Sequence, residues 1–332
     1  MYESAAGCPW TQKRLCSRMD QSMNRKQHKI LIIKLGYCET LLPIIRQTCS
    51  LGDVFRTTVV LHLFKNDHVT WLTDQAAIPL LKENPHIDRL LTFDLMGVLQ
   101  LLGERFDKVI NLEKVPGICA LVNKINAWSK YGFRFDEETG MAEAFERAHE
   151  ALAVATLEDA KKLNNRCWSE VIYQILGAKW KGESYILGYK PKSQVACDLG
   201  FNTHVGRMIP EKAWPTDHWR KLEKLVAGKF TFSYQQALDD LEGYMDWINS
   251  CRMLITNDSL GLYLGIALGK KVLGLFGATP ASEHSPHDNF RVVVSPVEPP
   301  GAVGFNAQSS PDDSCMRAIT PEMVFEAISA WA

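Results

Sequence analysis

The stretch Met253 to Thr279, MLITNDSLGLYLGIALGKKVLGLFGAT, constrains the fold more than any other part of the chain. A short apolar run, Met253 to Ile255, ends at Thr256-Asn257-Asp258-Ser259. Asp258 or Ser259 is suited to cap a helix, because its side-chain oxygen accepts from the unpaired amides of a first turn. Leu260, Leu264 and Leu268 then recur at helical spacing, and Gly269 closes the helix. Lys271 to Phe276 reads as a second buried strand, ending in Gly277-Ala278-Thr279. A helix that starts at the carboxyl end of a parallel strand points free amides and a positive dipole end at a crevice. In an open α/β sheet that crevice is where ligands bind. The segment therefore marks a site for an anionic ligand, and the remaining residues must say which.

A chain of 332 residues favours two domains over one. Hydrophobic residues at 46% and charged residues at 23% describe an ordinary globular protein, and a net charge of −1 gives no basic excess that would argue for nucleic acid. The nine cysteines form no CxxC pair and read as reduced thiols of a cytoplasmic protein, with Cys38 and Cys49, which flank one short insert, the only pair worth testing. No apolar run approaches the roughly 20 residues of a membrane span. The first 27 residues are polar, carry no apolar signal core and read as a disordered tail.

Order is expected from His28 onward. KILIIKL (29–35) reads as a buried first strand, followed by a loop or insert over 36–50. Leu51-Gly52-Asp53 leads into a helix over VFRTTVVLHLFK, and strands are expected at 68–73, 87–93 and 106–112, with a short helix at 76–81. Residues 141–180 are helical in pattern and poor in strand signals. A second series begins with a strand at 195–202 and continues through helices near 215–227 and 240–250 to the opening feature. A strand at 291–294, a Pro/Gly/Ser-rich loop (295–314) and a final helix from Pro321 to Trp331, capped by Thr320, complete it. Strands separated by helices make parallel sheets. The expected organisation is a tail (1–27), a first α/β domain (28–188) and a second (189–332).

The glycine fingerprint of dinucleotide binders, the phosphate loop of P-loop proteins, HExxH and GxSxG are all missing from the sequence. Asp53, at a loop-to-helix junction, is either a helix cap or a general base that takes a proton from an attacking hydroxyl. Lys212, in RMIPEKAWP, is either a solvated loop lysine or a cation for a diphosphate whose charge grows on the leaving oxygen. Asp258 and Ser259 need no function as caps. Their place at a sheet's carboxyl edge, with Gly277 at the next strand end, favours ligand binding. His204, His284 and His287 are metal-ligand candidates only by loose proximity.

The patterns KILIIKL…SLGDVFRTT, HVTWLTD and NPHIDRLLTFD, and later KAWPTDHW, LITNDSLGLYLGIALGKKVLGLFGATPASE and SCMRAITPEMV, resemble glycosyltransferase family 9, the heptosyltransferases, in order over about residues 29 to 330. The resemblance implies a GT-B fold, two Rossmann-like domains with parallel sheets facing across a cleft. It implies inverting transfer of a sugar from a nucleotide-activated donor, typically ADP-heptose, to a saccharide hydroxyl of lipopolysaccharide or a related glycan. The partners would be that donor and a saccharide or glycolipid acceptor, the latter a reason for peripheral contact with the inner face of a membrane. Asp53 would be the catalytic base. Lys212 would hold the donor diphosphate, Asp258 would contact the donor sugar, and amides near Ser259 and Leu260 would meet the phosphates. Arg56, one turn after Asp53, would meet an anionic acceptor. No acidic DxD stands at a donor position (Asp312-Asp313 lies in the late loop), so no obligatory metal is expected.

Four features depart from the family pattern. Residues 36 to 49 intervene before the Gly-Asp-Val step. Leu260 stands where the family has glycine, and Tyr263 where it has histidine, which leaves Tyr263 to donate to a sugar hydroxyl. The 226–240 region lacks the family's Gly-Gly-x-x-Glu segment. Ala278 replaces a proline. Tyr263 and the short 226–240 region motivate a second reading, a sugar-nucleotide-binding or partner-binding protein that keeps the fold without turnover.

Overall fold

The computed structural model describes residues 28–37, 48–206, 209–237, 239–297 and 313–332. The N-terminal tail, Cys38, most of the 36–49 insert, Asp312 and the greater part of the 295–314 loop lie outside the described residues.

Two open sheets carry the fold. The first comprises β1 (Lys29–Ile33), β2 (His68–Thr73), β3 (Arg89–Thr92), β4 (Arg105–Asn111), β5 (Asn126–Phe135) and β6 (Ala142–Ala144), in the order β3-β2-β1-β4-β5-β6. Every pairing is parallel except β5 with β6. The second comprises β7 (Cys197–Asn202), β8 (Phe232–Tyr234), β9 (Cys251–Asn257), β10 (Lys271–Phe276) and β11 (Phe290–Val294), in the order β11-β10-β9-β7-β8, parallel throughout. The central strand β1 shows why an unbroken apolar run is needed. Ile30 and Ile32 enter one hydrophobic cluster and Leu31 and Ile33 another, all fully buried, because helices cover both faces of a parallel sheet.

Strand order reverses at β1/β4 in the first sheet and at β7/β9 in the second. At such a switch point the outgoing connections diverge to opposite faces and leave a crevice at the carboxyl ends of the strands. The residues that follow β1 include Asp53, and those that follow β9 begin with Asp258. The halves are not independent globules. One hydrophobic cluster joins Val54, Phe55 and Tyr173 to Tyr244, Leu262 and Tyr263.

Several local expectations need revision. The helix expected over 54–65 is an α-helix only at Leu51–Arg56 and continues as a 3-10 helix, Thr57–Phe64. Four β-branched residues, Thr57 to Val60, begin that second part. The Thr57 and Thr58 hydroxyls donate back to the carbonyls of Asp53 and Phe55, which tightens the turn. β5 is ten residues long and was not legible as a strand. Its sequence NAWSKYGFRF has no apolar run, and Gly132 reads as a breaker. Gly132 sits at φ +88°, where a Cβ would lie 1.8 Å from the Asn111 carbonyl oxygen. Helices Leu95–Leu102 and Pro116–Lys124 and the short strand β8 also went unpredicted.

Candidate active site

Asp53 lies in the first turn of Leu51–Arg56. Its Oδ1 stands 2.7 Å from Arg56 Nη2, three residues on, and the Arg56 guanidinium lies 4.5 Å over the Trp168 ring. The Arg56 side chain is 9% exposed. Its charge is therefore committed to orienting the Asp53 carboxylate and is only slightly open to solvent. Asp53 does not cap the helix with its side chain. The Ser50 carbonyl accepts the Asp53 and Val54 amides at 3.1 and 3.2 Å instead.

The facing wall is built on β9 and the helix Leu260–Ala267. Asp258 is buried and takes three partners. Lys212 Nζ donates to Oδ2 at 2.5 Å, Thr279 Oγ1 donates to the same oxygen at 2.9 Å, and His284 Nε2 lies 3.5 Å from Oδ1. Burial alone would raise this carboxyl, but Lys212 and His284 outweigh it and hold Asp258 well below the usual carboxylate range. Asp258 is therefore a charged partner for the Lys212 ammonium, which is 20% exposed.

Ser259 occupies the N-cap position of Leu260–Ala267 but makes no capping side-chain bond. Its hydroxyl accepts from Asn202 Nδ2 at 2.9 Å. Asn202, fully buried at the end of β7, also donates to Thr256 Oγ1 and accepts from the Tyr244 hydroxyl at 2.8 Å. This network presses on Gly261, where a Cβ would meet Asn202 Nδ2 and the Tyr244 hydroxyl oxygen, each at 2.4 Å. The Leu262 amide donates to the Ser259 carbonyl at 3.1 Å, and the Leu260 and Gly261 amides ahead of it have no intrahelical acceptor.

The two walls meet. A Cβ on Gly52 would lie 3.3 Å from Tyr263 Cε2 and 3.8 Å from Leu260 Cα, so the Asp53 helix packs directly on the helix Leu260–Ala267. Tyr263 is 5% exposed, and its hydroxyl is within hydrogen-bonding distance of His284 Nδ1 at 3.3 Å. Burial raises the Tyr263 hydroxyl well above its ordinary value, with Asp258, Tyr185 and Asp53 adding to the rise and Arg56 opposing it. It is a neutral group at the junction of both carboxylate sites. Gly277 has a packing reason of its own: a Cβ there would stand 2.8 Å from Met316 Sδ and 2.9 Å from the Cys315 carbonyl.

Sequence reasoning gathered Asp53, Arg56, Lys212, Asp258, Ser259, Leu260 and Tyr263 into one region, and it missed Thr279, Asn202 and Tyr244. Thr279 ends the quoted strand-turn motif, so a signal existed. His284 was singled out only as a metal-ligand candidate, because a loop imidazole 26 residues after Asp258 has no spacing rule that would pair the two. The other two histidines singled out lie elsewhere. His204 Nδ1 contacts Thr203 Oγ1, and His287 packs against Trp180 and Tyr185. Among the described residues no group of three or more His, Cys, Asp or Glu side chains is placed to hold a metal ion.

The fold has counterparts among solved structures. E. coli heptosyltransferase WaaC, solved with ADP-2-deoxy-2-fluoro heptose, superposes at a TM-score of 0.61 with 15% identity, over 92% of this chain and all of that one. A glycosyltransferase of family 9 from Veillonella parvula superposes at 0.62 with 17% identity, over 93% and 98% of the two chains. E. coli ADP-heptose lipopolysaccharide heptosyltransferase II gives 0.59 with 13% identity, over 91% and 98%. The fold is that of the family 9 heptosyltransferases. The neighbours of this GT-B-like chain are glycosyltransferases along nearly their whole length, although no family model and no curated protein matches its sequence. Among the described residues no helix is long and apolar enough to cross a membrane.

Proposed function

We propose that the protein is an inverting glycosyltransferase that moves a heptose-type sugar from an ADP-activated donor to a saccharide hydroxyl. The observation that carries this reading is the contact of the two walls at Gly52 and Tyr263. It joins the helix that carries a carboxylate held by Arg56 to the helix that follows a carboxylate paired with Lys212, which supports a base on one wall and a cation on the other. WaaC has been solved with ADP and with an ADP-heptose analogue, and the same class of donor suits the Lys212 side of the cleft here.

In this reading Asp53 takes the proton of the acceptor hydroxyl. The hydroxyl oxygen bonds to the anomeric carbon, and the bond from that carbon to the diphosphate breaks on the opposite face. The electron pair goes to the leaving phosphate oxygen, where Lys212 and the first-turn amides of Leu260–Ala267 meet the growing charge. Asp258, freed of part of its hold on Lys212, is available to donor-sugar hydroxyls beside His284 and Thr279. Arg56 keeps Asp53 aimed at the acceptor. An anionic group on that acceptor would compete for the same guanidinium.

The test is nucleotide release from ADP-heptose, GDP- and UDP-sugars in the presence of a saccharide acceptor extract, comparing wild type with Asp53→Ala and Lys212→Ala. ADP release that needs both residues is the expected result. Release equal in wild type and Asp53→Ala would remove the base assignment. Binding without release from any donor would make the protein a sugar-nucleotide binder.

A further inference from the structure

The 36–49 insert separates β1 from the helix that carries Asp53, yet its two ends close on each other. Ser50 N donates to the Gly36 carbonyl at 2.7 Å, and the Ser50 carbonyl in turn accepts the Asp53 and Val54 amides. Gly36 sits at φ +75°, and a Cβ there would stand 2.6 Å from the Ser50 carbonyl oxygen. A side chain at that point would push the returning chain, and with it the start of the Asp53 helix, away from the strand.

One side chain holds the Gly36 end in place. Glu113, fully buried just beyond β4, accepts the Leu35 and Gly36 amides with a single oxygen, Oε1, each at 2.7 Å. Lys34 Nζ, equally buried, lies 3.3 Å from that oxygen. Glu113 is itself clamped at its backbone. Asn111 Oδ1 accepts its amide at 3.0 Å, and Asn111 Nδ2 and Cys119 Sγ both donate to its carbonyl. Asn111 Nδ2 also donates to the Phe133 carbonyl, tying the turn to β5. A rigid frame thus runs from β5 through β4 to Glu113, then to the Gly36 end of β1, across to Ser50, and into the first turn that carries Asp53.

We infer that Glu113 is a positioning residue for Asp53, an inference that rests on the glycosyl-transfer reading for its kinetic consequence and on the hydrogen-bond chain for its structural one. A buried carboxylate that takes two strand-end amides charges them with a strong, short pair of bonds. It sets where the chain leaves β1, and the Gly36–Ser50 closure makes the return point the same. Glu113 touches neither the Lys212–Asp258 pair nor the helix Leu260–Ala267, so its influence belongs to the acceptor wall alone.

The test compares the full chain with Glu113→Ala and Gly36→Ala. Hydrogen exchange is read in peptides covering 30–37 and 48–58 against peptides covering 251–268, together with calorimetric binding of ADP and ADP release from ADP-heptose. In Glu113→Ala the first two regions should exchange at least about tenfold faster while the third is unchanged. ADP affinity should stay within about twofold, and kcat should fall by about a hundredfold at similar donor KM, the cost of a small displacement of a reacting group. Glu113→Gln, whose amide oxygen still accepts from both N–H groups, should recover part of the loss. Wild-type exchange at 48–58 or wild-type kcat in Glu113→Ala would overturn the proposal, as would loosening spread equally over both halves. Should Glu113→Ala fail to fold, Gly36→Ala strains the same closure from the other side and must give the same regional pattern, or the proposal falls. If wild type releases nucleotide from no donor, the glycosyl-transfer reading fails, and the exchange comparison still decides whether Glu113 positions Asp53.

Discussion

The two walls of the cleft hold their carboxylates by different means. Asp53 is placed through the backbone. Ser50 caps its helix, and one arginine, three residues away, orients the side chain. Asp258 is placed through side chains, with Lys212 from one segment and Thr279 and His284 from the loop after β10 converging on it. The difference follows from what each group must do in the proposed reaction. A base needs one open oxygen aimed at a proton, so few partners and a rigid backbone suit it. A group that anchors a cation in a buried site needs its lone pairs filled, because an unpaired charge there is costly.

The contrast can be broken most sharply by exchanging the losses. Asp53→Ala should lower ADP release by about 10²- to 10⁴-fold, the usual span for a general base, and leave ADP affinity unchanged. A parallel fall in affinity would show that the walls are not separable. Lys212→Ala leaves Asp258 buried without its cation and should cost about 3 kcal/mol of unfolding free energy in urea, with weaker ADP binding as well. A variant as stable as wild type would mean that His284 and Thr279 suffice. Next in size is Gly261→Ala, whose Cβ would collide with Asn202 and Tyr244. About 2 kcal/mol of lost stability, with hydrogen exchange raised around 258–265 and not around 50–56, is expected from overpacking on the Asp258 wall alone.

The smallest effect is one of pH. Asp258 has its carboxyl lowered in the folded state by Lys212 and His284 against the opposing effect of burial. A lowered carboxyl adds stability in full above its unfolded value near 4, and loses it as the pH falls through the folded value. The stability gap between wild type and Lys212→Ala should therefore be smaller at about pH 3 than at pH 7. A gap that widens on acidification would contradict the ion pair as its source.

Much of the frame was legible because buried parallel strands are apolar runs and helix ends carry their own punctuation. β1, β2, β7, β9 and β10 lie close to where KILII, HVTWLT, the 195–202 run and the Met253–Thr279 motif place them. Thr320 caps the last helix as its sequence requires, accepting from the Met323 amide. β5 was not legible because its pairing with β4, and not its own composition, makes it a strand. The site was legible where chemistry is local, at Gly52-Asp53 and Asn257-Asp258-Ser259. The Ser259 side chain shows the limit of local reading. A serine at a helix start is a natural cap, yet a buried Asn202 from a neighbouring strand competes for its hydroxyl and wins it.

What the sequence by itself determined is the pattern of two α/β halves and the polar residues that leave their strand ends, since periodicity and capping act within a few residues. The tertiary structure alone decided which of those groups meet. His284 reaches Asp258 and Tyr263 from the loop after β10, Arg56 turns to Asp53 beneath Trp168, and Glu113 closes the chain across an excursion of a dozen residues. These contacts depend on strand order and on two halves packing wall to wall, and the free energy that selects them comes from burying charge only where a partner is already in place.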